Sequence, residues 1–137
     1  MGAEGKYQKK LRVFEMSCLR KIKGVTRRNR VRNTEIRREL KVETDVVQII
    51  QRRRLRYFGH ITRMSGERLP AIAFSGNVHG SRKRGRPKKR WEDNLKADLD
   101  EMGHTMVEAI RLASSDRDVW RKSVLGLSER GSPSPRH

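Results

Sequence analysis

Apolar side chains in this chain return at steps of three and four, and almost every position between the returns is charged or polar. From Thr44 onward, Val46, Val47, Ile50, Tyr57, Phe58, Ile61 and Met64 fall within about a third of the helical circumference at about 100° per residue. No segment shows the strict alternation of a half-buried strand. A chain patterned this way buries apolar surface by stacking amphipathic helices. With 137 residues, of which 34% are hydrophobic, it has material for one modest core. The expected fold is all-α, a small bundle of four to six short helices with a basic Gly/Pro loop and a disordered C-terminal tail.

The same periodicity sets the elements. Residues 9–23 place Leu11, Phe14, Cys18 and Ile22 on one stripe with Leu19 beside it, and Gly24 follows where a left-handed cap would sit. Asn33 is a candidate N-cap for a short helix facing inward through Ile36 and Leu40, and Thr44 for the long helix that follows. Arg54 falls inside the apolar stripe of that helix, where it must snorkel, find a carboxylate or mark a break. Pro70 opens a short apolar piece, "PAIAF". A further helix runs from Trp91 through Leu95, Leu99 and Met102, with Glu92 and Asp93 at its positive end and Gly103 to stop it. A weaker one carries Met106, Ile110 and Ala113. The last opens on a capping box of Ser115 and Asp118 and faces inward through Val119, Trp120, Val124 and Leu127. These elements divide the chain into a flexible N-terminus (1–8), a basic helical region (9–75), a basic flexible loop (76–90), a C-terminal helical region packing with the first (91–127) and a disordered tail (128–137).

Charge separates these regions more sharply than hydrophobicity does. The chain holds 34 Lys and Arg against 16 Asp and Glu, a net +18. Residues 1–68 carry 20 basic and 7 acidic side chains, residues 69–90 carry 7 and none, and residues 91–137 carry 7 and 9. Such an excess seeks a polyanion, and the last third contributes nothing to it by charge alone. On the long helix, Arg52, Arg56 and Arg63 align on the side away from the apolar stripe. Gly59 between them leaves the backbone open to close approach by a phosphate. The stretch "SRKRGRPKKRW" supplies Arg82, Lys83, Arg84, Gly85, Arg86, Pro87, Lys88, Lys89 and Arg90. Its Arg-Gly-Arg-Pro centre resembles an AT-hook: glycine admits the backbone to a narrow minor groove, proline keeps the path extended, and Arg84 and Arg86 enter the negative potential of an A-tract. Lys88 and Lys89 would grip phosphates. Because the stretch runs directly into a helix at Trp91, it also reads as a built-in basic loop.

Other chemistries find little purchase. One cysteine, Cys18, excludes an internal disulfide, and His60, His79, His104 and His137 are too far apart for a zinc site. No nucleophile–base pair, carboxylate pair or phosphate-cradling glycine loop is present. Asp98, Asp100, Glu101, Asp116 and Asp118 read as solvated faces and caps, and His60 as a helix-surface histidine. Trp91, Trp120 and Phe58 all lie on apolar faces, so only Tyr57 is in question as a stacking surface. No apolar run approaches the roughly 20 residues of a membrane span, and no signal peptide is visible. The expected setting is intracellular, the nucleus before the cytoplasm. No catalytic residue, metal, cofactor or small-molecule substrate is expected.

Four segments taken in order, "VFEMSCLRKIKGVTRRNRVRNTEIRREL", "RRRLRYFGHITRM", "GSRKRGRPKKRWEDNLKADL" and "DRDVWRKSV", resemble the C-terminal region of non-LTR (LINE-type) retrotransposon reverse transcriptases. The resemblance spans roughly residues 9–125. It rests on a Leu-Arg-aromatic-Phe-Gly-His element, a Gly-Arg-Pro-basic-basic element leading to Trp91, and an Asp-Arg-x-x-Trp-Arg element. Tyr57 stands where many members have Trp. The resemblance implies a largely helical region beyond the polymerase thumb that helps to hold template RNA and target DNA. It also implies association with the remaining retrotransposon polypeptide. The chain has no acidic polymerase motif of the Tyr-Ala-Asp-Asp kind, no endonuclease domain and no zinc knuckle, so polymerase activity does not carry over. A decayed copy, an internal start at Met1 and a domesticated fragment all fit. The expected function is non-catalytic binding of RNA or DNA backbone. The alternatives are an AT-hook-like minor-groove protein of the nucleus and a structural or non-functional remnant.

Overall fold

The computed structural model describes residues 5–76, 80–81 and 83–126. Among them the fold is entirely helical: α1 (Lys6–Lys23), a 3-10 turn (Arg27–Asn29), α2 (Asn33–Glu39), α3 (Val46–Thr62), α4 (Leu69–Ser75), α5 (Trp91–Met102), α6 (Met106–Ser115) and α7 (Arg117–Leu125). Seven α-helices exceed the expected four to six. The added one is α4, formed where "PAIAF" had read only as an apolar piece: Pro70 sits in its first turn, where a missing N–H costs nothing. Leu127 and the tail 128–137 lie outside the described residues, as do Met1 to Glu4. No described helix is long and apolar enough to cross a membrane.

Helix ends obey local chemistry. Gly24 and Gly103 adopt left-handed conformations (φ 75° and 77°). In each case the next residue's N–H returns to a carbonyl five back, Val25 to Arg20 and His104 to Leu99, both at 3.0 Å. The N-caps differ from expectation by one position. Asp45, not Thr44, accepts from the Gln48 N–H at 2.9 Å. Asp116, not Ser115, accepts from Asp118 and Val119. Asn33 lies inside α2, where its Oδ1 accepts from Arg20. Aspartate takes the first two places because its charged oxygen suits the unpaired N–H groups of a helix start.

Instead of one core there are two compact units, with the division at Gln51/Arg52 inside α3. In the first unit Met16 and Leu19 of α1 pack on Ile36 of α2, with Val25, Val31, Leu40 and Val42 around them. This corrects the face assigned to α1. Phe14 and Ile22 are 68% and 71% exposed and Cys18 is only half-buried. The buried stripe lies roughly 130° around the helix from the one its apolar residues suggest. Met16 and Leu19 are the residues that meet Ile36, and ion pairs flank them: Arg12–Asp45 at 2.9 Å, Glu15–Arg37 at 2.6 Å and Lys23–Glu39 at 2.6 Å. A reading of hydrophobic spacing alone gives such pairs no weight.

The second unit holds the larger core. Leu55 and Phe58 of α3 meet Leu95, Leu99 and Met102 of α5, Ala109 and Ala113 of α6, and Trp120 and Val124 of α7. Phe74, Trp91, Met106 and Leu112 pack against its margin. Burying each large side chain here contributes about 1.5–3 kcal/mol. Arg54 finds a carboxylate: its Nε and Nη2 donate to Asp98 at 2.7 and 2.9 Å. Asp98 is 3% exposed, so it is a buried structural ion rather than a solvated helix face. On α6 the inward residues are Ala109 and Ala113, while Ile110 is exposed.

Candidate nucleic-acid interface

Within the second unit, α3 and α7 border a cleft of about 980 Å³. From α3 come Arg56, His60 and Arg63, spaced by four and three so that they share a face. From α7 come Arg117 and Arg121, one turn apart, with exposed Asp118 and buried Trp120 also lining the cleft. Four guanidinium groups against one carboxylate leave the cleft strongly cationic. Arg56, Arg117 and Arg121 are exposed, with no acidic partner among the described residues. Arg63 donates from Nη1 to the Ala113 carbonyl at 2.8 Å, closing the last turn of α6 while its charge stays at the cleft. Arginine's planar fork suits phosphate oxygens, which it can meet with two parallel donors.

Of the expected arginine ridge, Arg56 and Arg63 line this cleft; Arg52 does not and is half-buried. The role assigned to Gly59 changes more. A Cβ at that position would lie 2.4 Å from Trp120 Nε1 and 2.5 Å from its Cδ1. The indole itself donates to the Leu55 carbonyl at 3.0 Å. Gly59 therefore admits a buried tryptophan, not a phosphate. Two of the sequence elements singled out above, Leu-Arg-Tyr-Phe-Gly-His and Asp-Arg-x-x-Trp-Arg, are mated through this contact, which sets Arg117 and Arg121 opposite Arg56. Sequence reasoning missed these two arginines because the last third of the chain is not net basic. The i, i+4 spacing of Arg117 and Arg121 around Trp120 was the available signal.

The basic loop is open. Lys83, Arg84, Gly85, Arg86, Pro87, Lys88, Lys89 and Arg90 are all exposed, surround a concavity of about 520 Å³, and form no ion pair among the described residues. Arg82 lies outside the described residues. Gly85 has φ 147°, a conformation that side chains disfavour, with nothing near the position of a Cβ. Arg90 ends the loop in an extended conformation, its N–H donating to Asp93 Oδ2 at 2.8 Å, so that Trp91 begins α5 directly.

The first unit carries its own basic groove, of about 560 Å³, along α1 and the 3-10 turn, with Lys9, Arg20, Lys21 and Arg27 among its lining residues. Arg20 is held there by the Met16 carbonyl and Asn33. The groove depends on the chain folding back on α1.

No cluster of histidine, cysteine and carboxylates suited to a metal ion occurs among the described residues. Comparison with family models, with curated proteins and with solved structures finds no match for this chain.

Proposed function

We propose that this chain is a non-catalytic nucleic-acid-binding module, equivalent to the C-terminal, post-thumb region of a non-LTR retrotransposon reverse transcriptase and working on RNA or DNA in the nucleus. The observation that carries the reading is the cleft of Arg56, Arg63, Arg117 and Arg121, in the same unit as an exposed loop, Lys83 to Arg90, whose cations form no ion pair among the described residues. The resemblance stated above supplies the family, and its lack of polymerase motifs supplies the absence of catalysis. Affinity comes mainly from counterion release. Contacts to about 6–10 phosphates lower binding by roughly three to five decades between 50 and 200 mM salt.

The deciding experiment is a salt titration of binding to matched RNA, A·T-rich DNA and G·C-rich DNA duplexes. A steep slope with little dependence on base sequence supports the proposal. Undetectable binding at about 100 mM salt leaves a structural or non-functional remnant. The exposed Arg84-Gly85-Arg86-Pro87 stretch favours a second reading, a minor-groove element. That reading requires tighter binding to the A·T-rich duplex and loss of the preference in Arg86→Ala.

A further inference from the structure

A second cleft of the same unit, of about 510 Å³, differs in kind from the arginine cleft. Tyr57, Phe74 and Trp91 line it, with Arg90 and Glu92 at its polar side. Trp91 meets both other rings in T-shaped contacts: its centroid is 6.1 Å from that of Tyr57 at 77° and 5.9 Å from that of Phe74 at 81°. Tyr57 stays 48% exposed, and Phe74 and Trp91 are half-buried, so all three aromatic residues of the cleft keep solvent-accessible surface. This changes the sequence-based view that Trp91 serves only an apolar face.

Position strengthens the point. Arg56 of the arginine cleft and Tyr57 of this one are consecutive on α3, and the Tyr57 ring lies 6.4 Å from that of His60, which also lines the arginine cleft. At its other side the aromatic cleft reaches Arg90, the last cation of the open loop. Aromatic surface thus bridges two cationic features. A polyanion crossing from one to the other passes over it, and the groups a polynucleotide can offer such a surface are unpaired bases. A duplex keeps its base faces stacked and out of reach.

We propose that the cleft of Tyr57, Phe74 and Trp91 takes an unpaired nucleobase of a single strand, stacked on exposed aromatic surface while its flanking phosphates lie on Arg56 and Arg90. The Glu92 carboxylate, paired with Lys96 at 3.2 Å, lines the same cleft and would accept from a base amino group. The proposal rests on the nucleic-acid reading above and narrows it to strands with unpaired segments.

The test uses the full chain and three labelled probes of matched charge: a mixed-sequence single-stranded DNA, the same strand with abasic sites throughout, and a duplex. Fluorescence anisotropy should show the intact strand binding about tenfold more tightly than the abasic one, within the range that loss of one stacked base produces. Tyr57→Ala should abolish that difference, Tyr57→Phe should keep it, and both should bind duplex like the parent. Equal affinity for intact and abasic strands overturns the proposal and leaves the cleft to an apolar peptide side chain; duplex binding then still upholds the broader reading. No binding of any probe overturns both. Should Tyr57→Ala not fold, the comparison of strands on the parent chain decides alone.

Discussion

Gly59→Ala isolates the contact on which the arginine cleft depends. In an exposed helix this change stabilises by up to about 1 kcal/mol, since alanine is the better helix former. Here the new methyl would lie 2.4 Å from Trp120 Nε1. The indole must retreat, which costs about 1–3 kcal/mol in overpacking and about 1 kcal/mol for the hydrogen bond to Leu55. After the propensity gain is subtracted, a net loss of about 2 kcal/mol is expected. For a unit of this size that lowers Tm by roughly 8–16 °C. Both tryptophans, Trp91 and Trp120, belong to the second unit, so tryptophan fluorescence during urea or thermal unfolding follows it selectively. Trp120→Ala removes the clashing Nε1 and Cδ1, and in that background Gly59→Ala should cost at least 1 kcal/mol less. A Gly59→Ala protein as stable as the parent, or more stable, would refute the argument, as would additive costs in the double variant.

Asp98→Ala strands Arg54 in a mostly buried site and should destabilise the second unit by about 3 kcal/mol, whereas Arg54→Met with Asp98→Leu should come close to neutral; urea denaturation distinguishes them. Arg117→Gln and Arg121→Gln should each weaken binding to RNA and DNA alike and reduce the salt slope by about one, measured by anisotropy across a salt series. The Glu108 carboxyl is held below its usual value of 4.5, chiefly by accepting the Thr105 backbone N–H and then by the Thr105 side chain, against a small opposing effect of burial. A lowered carboxyl stabilises the fold when ionised. Its contribution to the start of α6 is therefore complete above that usual value and disappears as pH falls through the lower folded-state value. Melting curves across the acid range should show this for the parent and a flatter response for Glu108→Gln.

Helix formation was legible because its causes are local. The three-and-four spacing placed α1, α3 and α5, and Gly24 and Gly103 announced their ends because left-handed caps depend on a few neighbouring residues. The exposure of the basic loop was legible too over its described residues: the six cations from Lys83 to Arg90, with glycine and proline and no apolar anchor, have nothing to pack. Even the need for a partner at Arg54 could be stated from its place in the stripe, though Asp98 could not be chosen from among the acids of the C-terminal third.

What the sequence could not settle was every property that belongs to two segments at once. The inward face of α1 is the one that docks on Ile36 of α2, with ion pairs to α2 and Asp45 beside it, so Phe14 and Ile22 ended outside and Met16 inside. Gly59 suggested an approach to ligand and serves instead as the seat of Trp120, 61 positions along the chain. Arg117 and Arg121 count as part of a nearly neutral segment until that tryptophan docks and turns them toward Arg56. Periodicity and caps are short-range and are written residue by residue. A cleft's charge and a glycine's neighbour are long-range, and they exist only once packing has brought distant side chains within a few ångströms.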